Sequence, residues 1–126
     1  MSKGTFLIID TSENSADLFY KTRFFVPDPV IYIENKGEKI LVLNDLELQR
    51  GREEASVDTV LSLNEYQKKL QSAKQKKIRL VDIADAVLKD RMIKSAIVPG
   101  RFPLKYADEL RRRGYKLICS DIFNCI

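Results

Sequence analysis

Histidine and tryptophan are absent from the 126 residues, cysteine appears twice and glycine five times. Each scarcity excludes something. Histidine is the usual general base near neutral pH, so its absence removes Ser/His and Cys/His nucleophile pairs and every histidine-containing metal set. Cys119 and Cys125 lie near the C-terminus, outside any disulfide framework or Cys/His zinc spacing, and are expected to be reduced thiols with Cys119 buried. No GxGxxG or GxxxxGK[ST] spacing occurs, which leaves a backbone cradle for phosphate unsupported. No apolar run approaches the roughly 20 residues of a membrane-spanning helix. The run Phe6 to Ile9, behind Met1-Ser2-Lys3-Gly4-Thr5, is too short for a signal-peptide core and has no small-residue cleavage site after it, so the expected location is the cytoplasm.

What is present is the material of one folded domain. A length of 126 residues with 44% apolar and 32% charged side chains supports a single hydrophobic core and excludes a disordered chain. The net charge of +4 is unevenly spread: Asn64 to Leu80 carries six basic residues against one acid, and Arg101 to Lys116 carries six against two. Such polarity marks either a face for nucleic acid or an acidic partner, or solvated helix faces. The Lys-rich segment 68–79 has only Tyr66 as an aromatic neighbour, so it lacks the stacking platform of a single-strand binder, and nucleic acid is not an expected partner.

The stretch from Tyr20 to Leu48 organises the rest. Val30 to Ile33 and Ile40 to Leu43 are β-branched and apolar, and Glu34-Asn35-Lys36-Gly37-Glu38 between them supplies Asn and Gly for φ > 0, which predicts a hairpin. Both strands are apolar at consecutive positions, so helices are expected on each face of the sheet. Asn44-Asp45 predicts the start of a helix running to Glu54, with Gly51 inside it as a weakness. Upstream, Thr5 to Ile9 reads as a strand, Asp10 to Ser15 as a turn and Ser15 to Tyr20 as a short helix. Downstream, Val57 to Leu63 reads as a strand. Asn64 is expected to cap a helix, with Gln67 at capping-box spacing and Tyr66, Leu70 and Ala73 as its apolar line.

Leu80, Ile83, Ala84, Val87 and Leu88 give the full period of a helix with one buried stripe. Lys94 to Val98 is expected to be a strand. Pro103 is expected at the first helical position of a helix closed by Arg111, Arg112, Arg113 and Gly114, and Tyr115 to Cys119 is read as a last strand. The predicted fold class is α/β, a mixed sheet flanked by helices on both faces.

Candidate functional residues are few. Without histidine, catalysis would need carboxylates alone, and Asp10 with Glu13, Asp45 with Glu47, and Glu53 with Glu54 each sit where turn, cap or exposed helix charges are expected. No catalytic, cofactor-binding or metal-ligating residue is assigned. The loop from Tyr20 to Asp28 is different. Tyr20, Arg23, Phe24 and Phe25 crowd beside Pro27, Asp28 and Pro29, and aromatics with Arg on a proline-stiffened loop are what protein interfaces concentrate. Tyr20, Arg23, Phe24, Phe25, Pro27 and Asp28 are therefore candidate interface residues, the alternative being that the aromatics fill the core.

At these residues the chain resembles a known family. The stretch DLFYKTRFFVPDPVIYIENKGEKILVLNDLELQR is similar to the N-terminal, non-catalytic domain of Xaa-Pro aminopeptidase, prolidase and creatinase. An early YxT segment (Tyr20-Lys21-Thr22), a strand running into Asp45-Leu46-Glu47, and the later VPGRFPLKYADELRRRG occur in the family's order. The resemblance reaches to about Tyr115.

It implies a ribonuclease-H-like domain over residues 1–119 with a tail at 120–126. In the intact enzymes such a domain is joined to a pita-bread metallopeptidase domain that is absent here. The two divalent metals of that catalytic domain are held by two Asp, one His and two Glu, and no position of this sequence matches those motifs. The resemblance implies a non-enzymatic role in assembly and cleft formation, with the peptidase domain or a second copy, as a homodimer, for partner. The alternative is a stand-alone binding module whose basic helices engage an acidic partner or nucleic acid.

Overall fold

The computed structural model describes residues 4–11, 14–72 and 77–120. Ala73, Lys74, Lys76, Ser12, Glu13 and the tail from 121, Cys125 included, lie outside them. The sequence-predicted hairpin forms its centre. Strand β1 (Thr5–Asp10), helix α1 (Ala16–Thr22) and strands β2 (Val30–Asn35) and β3 (Glu38–Leu43) come first. β2 and β3 are joined by a tight turn at Lys36 and Gly37, with φ of 52° and 88°. Two consecutive positive φ values match the right-handed twist of the strands on either side. Asn35, expected in the turn, instead ends β2 opposite Glu38 and accepts a hydrogen bond from the Thr5 hydroxyl at 2.7 Å.

Then come α2 (Asp45–Glu54), β4 (Thr59–Ser62), α3 (Leu63–Ser72), α4 (Leu80–Asp90), β5 (Ser95–Val98), α5 (Leu104–Arg112) and β6 (Lys116–Cys119). The six strands lie in the order β4-β3-β2-β1-β5-β6. β1, β2 and β3 are antiparallel neighbours, while β4, β5 and β6 join in parallel, so the sheet is mixed as expected.

The consecutive apolar runs sort by parity onto two faces. Leu7, Ile9, Ile31, Ile33, Ile40 and Val42 pack with the stripe of α4 and with Ala107 and Leu110 of α5. Phe6, Ile8, Val30, Tyr32, Leu41 and Leu43 pack with Leu18 of α1 and with Phe24 and Val26. Gly51 belongs to this second face: a Cβ there would run into the Leu43 side chain, so close packing of α2 on the sheet explains a glycine that helix propensity disfavours.

Three expectations need correction. The α3 cap is Ser62, whose Oγ accepts from Glu65 N–H at 3.0 Å and donates to Asp45 Oδ1 at 2.6 Å. Asn64 turns outward from its own helix and accepts from the Asp45 N–H of α2 at 2.8 Å. Asn44 caps α2 through Glu47 N–H at 3.2 Å, as expected, and the starts of α2 and α3 are thereby interlocked. Pro103 is the residue before α5 rather than its first position. Cys119 is exposed, because β6 is an edge strand of the sheet.

Candidate docking surface

The Tyr20 to Asp28 loop is built by the end of α1. Thr22 donates its hydroxyl to the Leu18 carbonyl at 2.9 Å, and its oxygen accepts from Phe24 N–H at 3.2 Å. Arg23 between them is left-handed, φ 54°. That single turn sets the phase of everything after it. Phe24 points into the core at 2% exposure and Val26 follows it, while Phe25 points out at 53%. Tyr20 is 43% exposed, and the Arg23 guanidinium lies 4.7 Å from its ring centroid. Of the candidate interface residues, Phe24 is therefore core, removed from the surface by the alternation that exposes Phe25. Tyr20, Arg23, Phe25, Pro27 and Asp28 are all at the surface.

The loop is fastened to α2 by a residue that sequence reasoning missed. Arg50 stacks its guanidinium 4.3 Å from the Phe24 ring centroid, donates to the Phe25 carbonyl at 3.1 Å and pairs with Glu47 at 2.6 Å. Asp28 accepts from Asn44 Nδ2 at 3.2 Å, and Ser56 N–H donates to the Thr22 carbonyl at 2.7 Å. For Arg50 the sequence offered Glu47 at i−3 and Glu54 at i+4, and both read as ordinary helix pairs. These ties preorganise the loop, so less entropy is lost when something docks on it. Leu46, on the first turn of α2, adds an apolar side chain at 92% exposure. Phe19 is also exposed.

The carboxylate pairs do not converge into a site. Asp45 is bound by Ser62, Glu47 and Glu54 by Arg50, and Glu53 by Gln49; Glu13 lies outside the described residues. The richest acidic cluster joins α4 to α5 instead. Arg113 pairs with Asp82 at 2.6 Å, Asp85 at 3.0 Å and Glu109 at 2.9 Å, and the Tyr115 hydroxyl donates to Asp85 Oδ1 at 2.6 Å. Burial alone would push the Asp82 carboxyl up, but hydrogen bonds from Arg113 and Arg79 outweigh it and hold the group below its ordinary range. A carboxylate kept ionised and saturated with donors is a structural tie rather than a proton carrier. Among the described residues no group of three or more His, Cys, Asp or Glu is placed to hold a metal ion. The basic residues Lys68 and Lys69 are exposed on α3.

One crevice lies where an open α/β sheet commonly binds ligands. β1 and β5 are parallel neighbours whose following helices, α1 and α5, pack on opposite faces, which is a topological switch point. Asp10, Asp17, Arg101 and Phe102 line the hollow there, at about 80 Å³. Pockets for small organic ligands run to roughly 300–1,000 Å³, so this one is too small for a peptide or nucleotide. Burial pushes the Asp17 carboxyl up, opposed by Arg101 and Lys21. No described helix is long and apolar enough to cross a membrane.

No family model matches the chain, and no curated protein sequence matches it. Solved structures do. The X-Pro aminopeptidase from Thermotoga maritima MSB8 superposes with a TM-score of 0.69 at 15% identity, over 94% of this chain and 31% of that one. The Xaa-Pro aminopeptidase (aminopeptidase P) from Streptococcus thermophilus gives 0.65 at 12% identity, over 97% of this chain and 82% of that one. The prolidase from Pyrococcus furiosus gives 0.61 at 11% identity, over 94% and 29%. This chain spans about a third of the Thermotoga chain. At such identities the likeness speaks for the fold: this chain has the mixed six-stranded α/β fold of the N-terminal domain of Xaa-Pro aminopeptidases and prolidases.

Proposed function

We propose that this chain serves as the non-catalytic N-terminal domain of a cytoplasmic Xaa-Pro aminopeptidase or prolidase type of metallopeptidase. Its work is assembly, docking on a peptidase domain or a second copy in a homodimer, and it forms part of the rim of the substrate cleft. The observation that carries the reading is the unequal coverage of the Thermotoga match: nearly all of this fold recurs as 31% of an X-Pro aminopeptidase. The exposed, preorganised loop with Tyr20, Arg23 and Phe25 supports a docking role for it.

The two-metal set that the resemblance implies for the peptidase does not fit this chain. The sequence has no histidine, and among the described residues no group of three or more Cys, Asp or Glu is placed to hold a metal in its stead. Metal-activated hydrolysis accordingly belongs to the other domain. The test is to assay the purified chain on Xaa-Pro peptides with added manganese, alongside elemental analysis. The expected result is no turnover and no stoichiometric metal. Turnover abolished by a chelator, with bound manganese, zinc or cobalt, would overturn the proposal.

A further inference from the structure

Helices α4 and α5 end alike, and the likeness isolates one residue. Each leaves its last turn through a left-handed residue and two backbone hydrogen bonds that satisfy the final carbonyls. At α5 that residue is Gly114, φ 101°; its N–H donates to the Arg111 carbonyl at 3.0 Å, and Tyr115 N–H donates to the Leu110 carbonyl at 3.1 Å. At α4 the same two bonds run from Met92 N–H to the Lys89 carbonyl at 3.0 Å and from Ile93 N–H to the Leu88 carbonyl at 2.9 Å. Met92 holds φ 56°, where a Cβ is disfavoured and glycine is not. Packing does not offset the strain, because Met92 is 85% exposed. Its thioether side chain is thus carried at a cost to the fold, the pattern expected where a strained residue serves contact with something else.

The surroundings say what that contact is. The two helix ends enclose a hollow of about 480 Å³, lined by Lys89, Met92, Ile93, Lys94, Gly114 and Tyr115 together with Arg113. Its volume lies within the range of ligand-binding clefts. Ile93 and Tyr115 are nearly buried and form an apolar floor. Among the described residues no carboxylate lines it. Arg113 is committed to its three acidic partners, but Lys89 is largely exposed while sharing Asp85 at 3.4 Å, and Lys94 is exposed with no ion pair to a described residue.

We infer that this hollow docks an acidic segment of another protein. An apolar side chain seats against Met92, Ile93 and Tyr115, and flanking carboxylates meet Lys89 and Lys94. Charge complementarity selects the occupant, since a basic segment meets repulsion at both lysines. A membrane is disfavoured by shape, because lipid-binding surfaces present a broad apolar face and this one is concave. The flexible, polarisable methionine side chain suits a surface that must fit varied apolar anchors. The inference stands apart from the peptidase reading.

The test uses a six-residue peptide with Leu-Phe flanked on each side by two glutamates, a counterpart with lysines in their place, and phosphatidylserine vesicles. The readout is the Met92 methyl resonance, one of only two methionine methyls in the chain. Expected are a saturable shift with the acidic peptide alone, weakened about tenfold by Lys89→Glu with Lys94→Glu. Met92→Gly is expected to raise the melting temperature by about 3 °C while weakening the peptide about fivefold, as followed on the Gly114 and Tyr115 amides. Four results each overturn the inference: no saturable shift at millimolar peptide, equal binding of the lysine peptide, a response to vesicles without one to peptide, or a lowered melting temperature in Met92→Gly.

Discussion

On the α4 and α5 side of the sheet, charge is turned inward: Arg113 ties Asp82, Asp85 and Glu109 together over the core, and Tyr115 completes the tie through Asp85. On the α1 and α2 side, closure falls to Phe24 and Val26 beneath a stacked Arg50, and Tyr20, Phe25 and Leu46 are left outside. The first arrangement satisfies its own acidic groups over the core and leaves for a partner the hollow at the ends of its two helices. The second satisfies the backbone of a loop while keeping aromatic and guanidinium surface free, which is the composition that interfaces draw on. The comparison teaches that the two faces close differently, one through an internal charge network and the other through aromatic packing, and that on the second face the line between core and exposed surface runs between adjacent residues, Phe24 and Phe25.

The sharpest way to break that division is Phe24→Ala, which removes a buried ring together with the partner of Arg50. A loss of about 3–5 kcal/mol in urea unfolding is expected. Arg113→Ala should come next, at roughly 3 kcal/mol, because it leaves Asp82 and Asp85 buried without their main counter-charge.

The same network predicts an acid sensitivity confined to its side of the sheet. Asp82 has a folded pKa below its unfolded value, so its contribution is complete above the ordinary Asp pKa of about 3.9 and is lost as pH falls through the folded value. Stability measured from pH 6 down to pH 3 should fall in the wild type, and Asp82→Asn should flatten part of that fall. An unchanged acid profile in Asp82→Asn would assign the sensitivity elsewhere.

Much of this was legible in the residues. The consecutive β-branched runs of Val30 to Ile33 and Ile40 to Leu43 imply a sheet covered on both faces, and the α4 stripe is read directly from its period. The similarity of the Asp17 to Arg50 stretch to the peptidase N-terminal domain led to the fold that the superpositions show. What escaped depends on contacts distant in sequence. Arg113 meets Asp82 and Asp85 across 31 and 28 residues, and in the sequence it reads only as a complement to a helix dipole. Asn64 serves the neighbouring helix rather than its own because α2 and α3 start side by side. Phe24 and Phe25 are chemically identical, and their fates separate only through the left-handed turn at Arg23, which a non-glycine residue does not advertise. Cys119 looks buried from its apolar neighbours until β6 is known to be an edge.

The smallest expected effect on folding is also the most direct test of the account. Arg23→Ala combined with Phe25→Ala removes exposed side chains only, so the melting temperature should shift by no more than a surface substitution does, within about 0.5 kcal/mol each. Self-association by sedimentation equilibrium, measured on the wild type and this variant over the same concentration range, then tests the docking face itself. The account predicts a wild type whose average mass rises with concentration and a variant that stays monomeric with its melting temperature intact. Equal association by both chains, or a variant that unfolds by several kcal/mol, would contradict the assignment of this loop to docking.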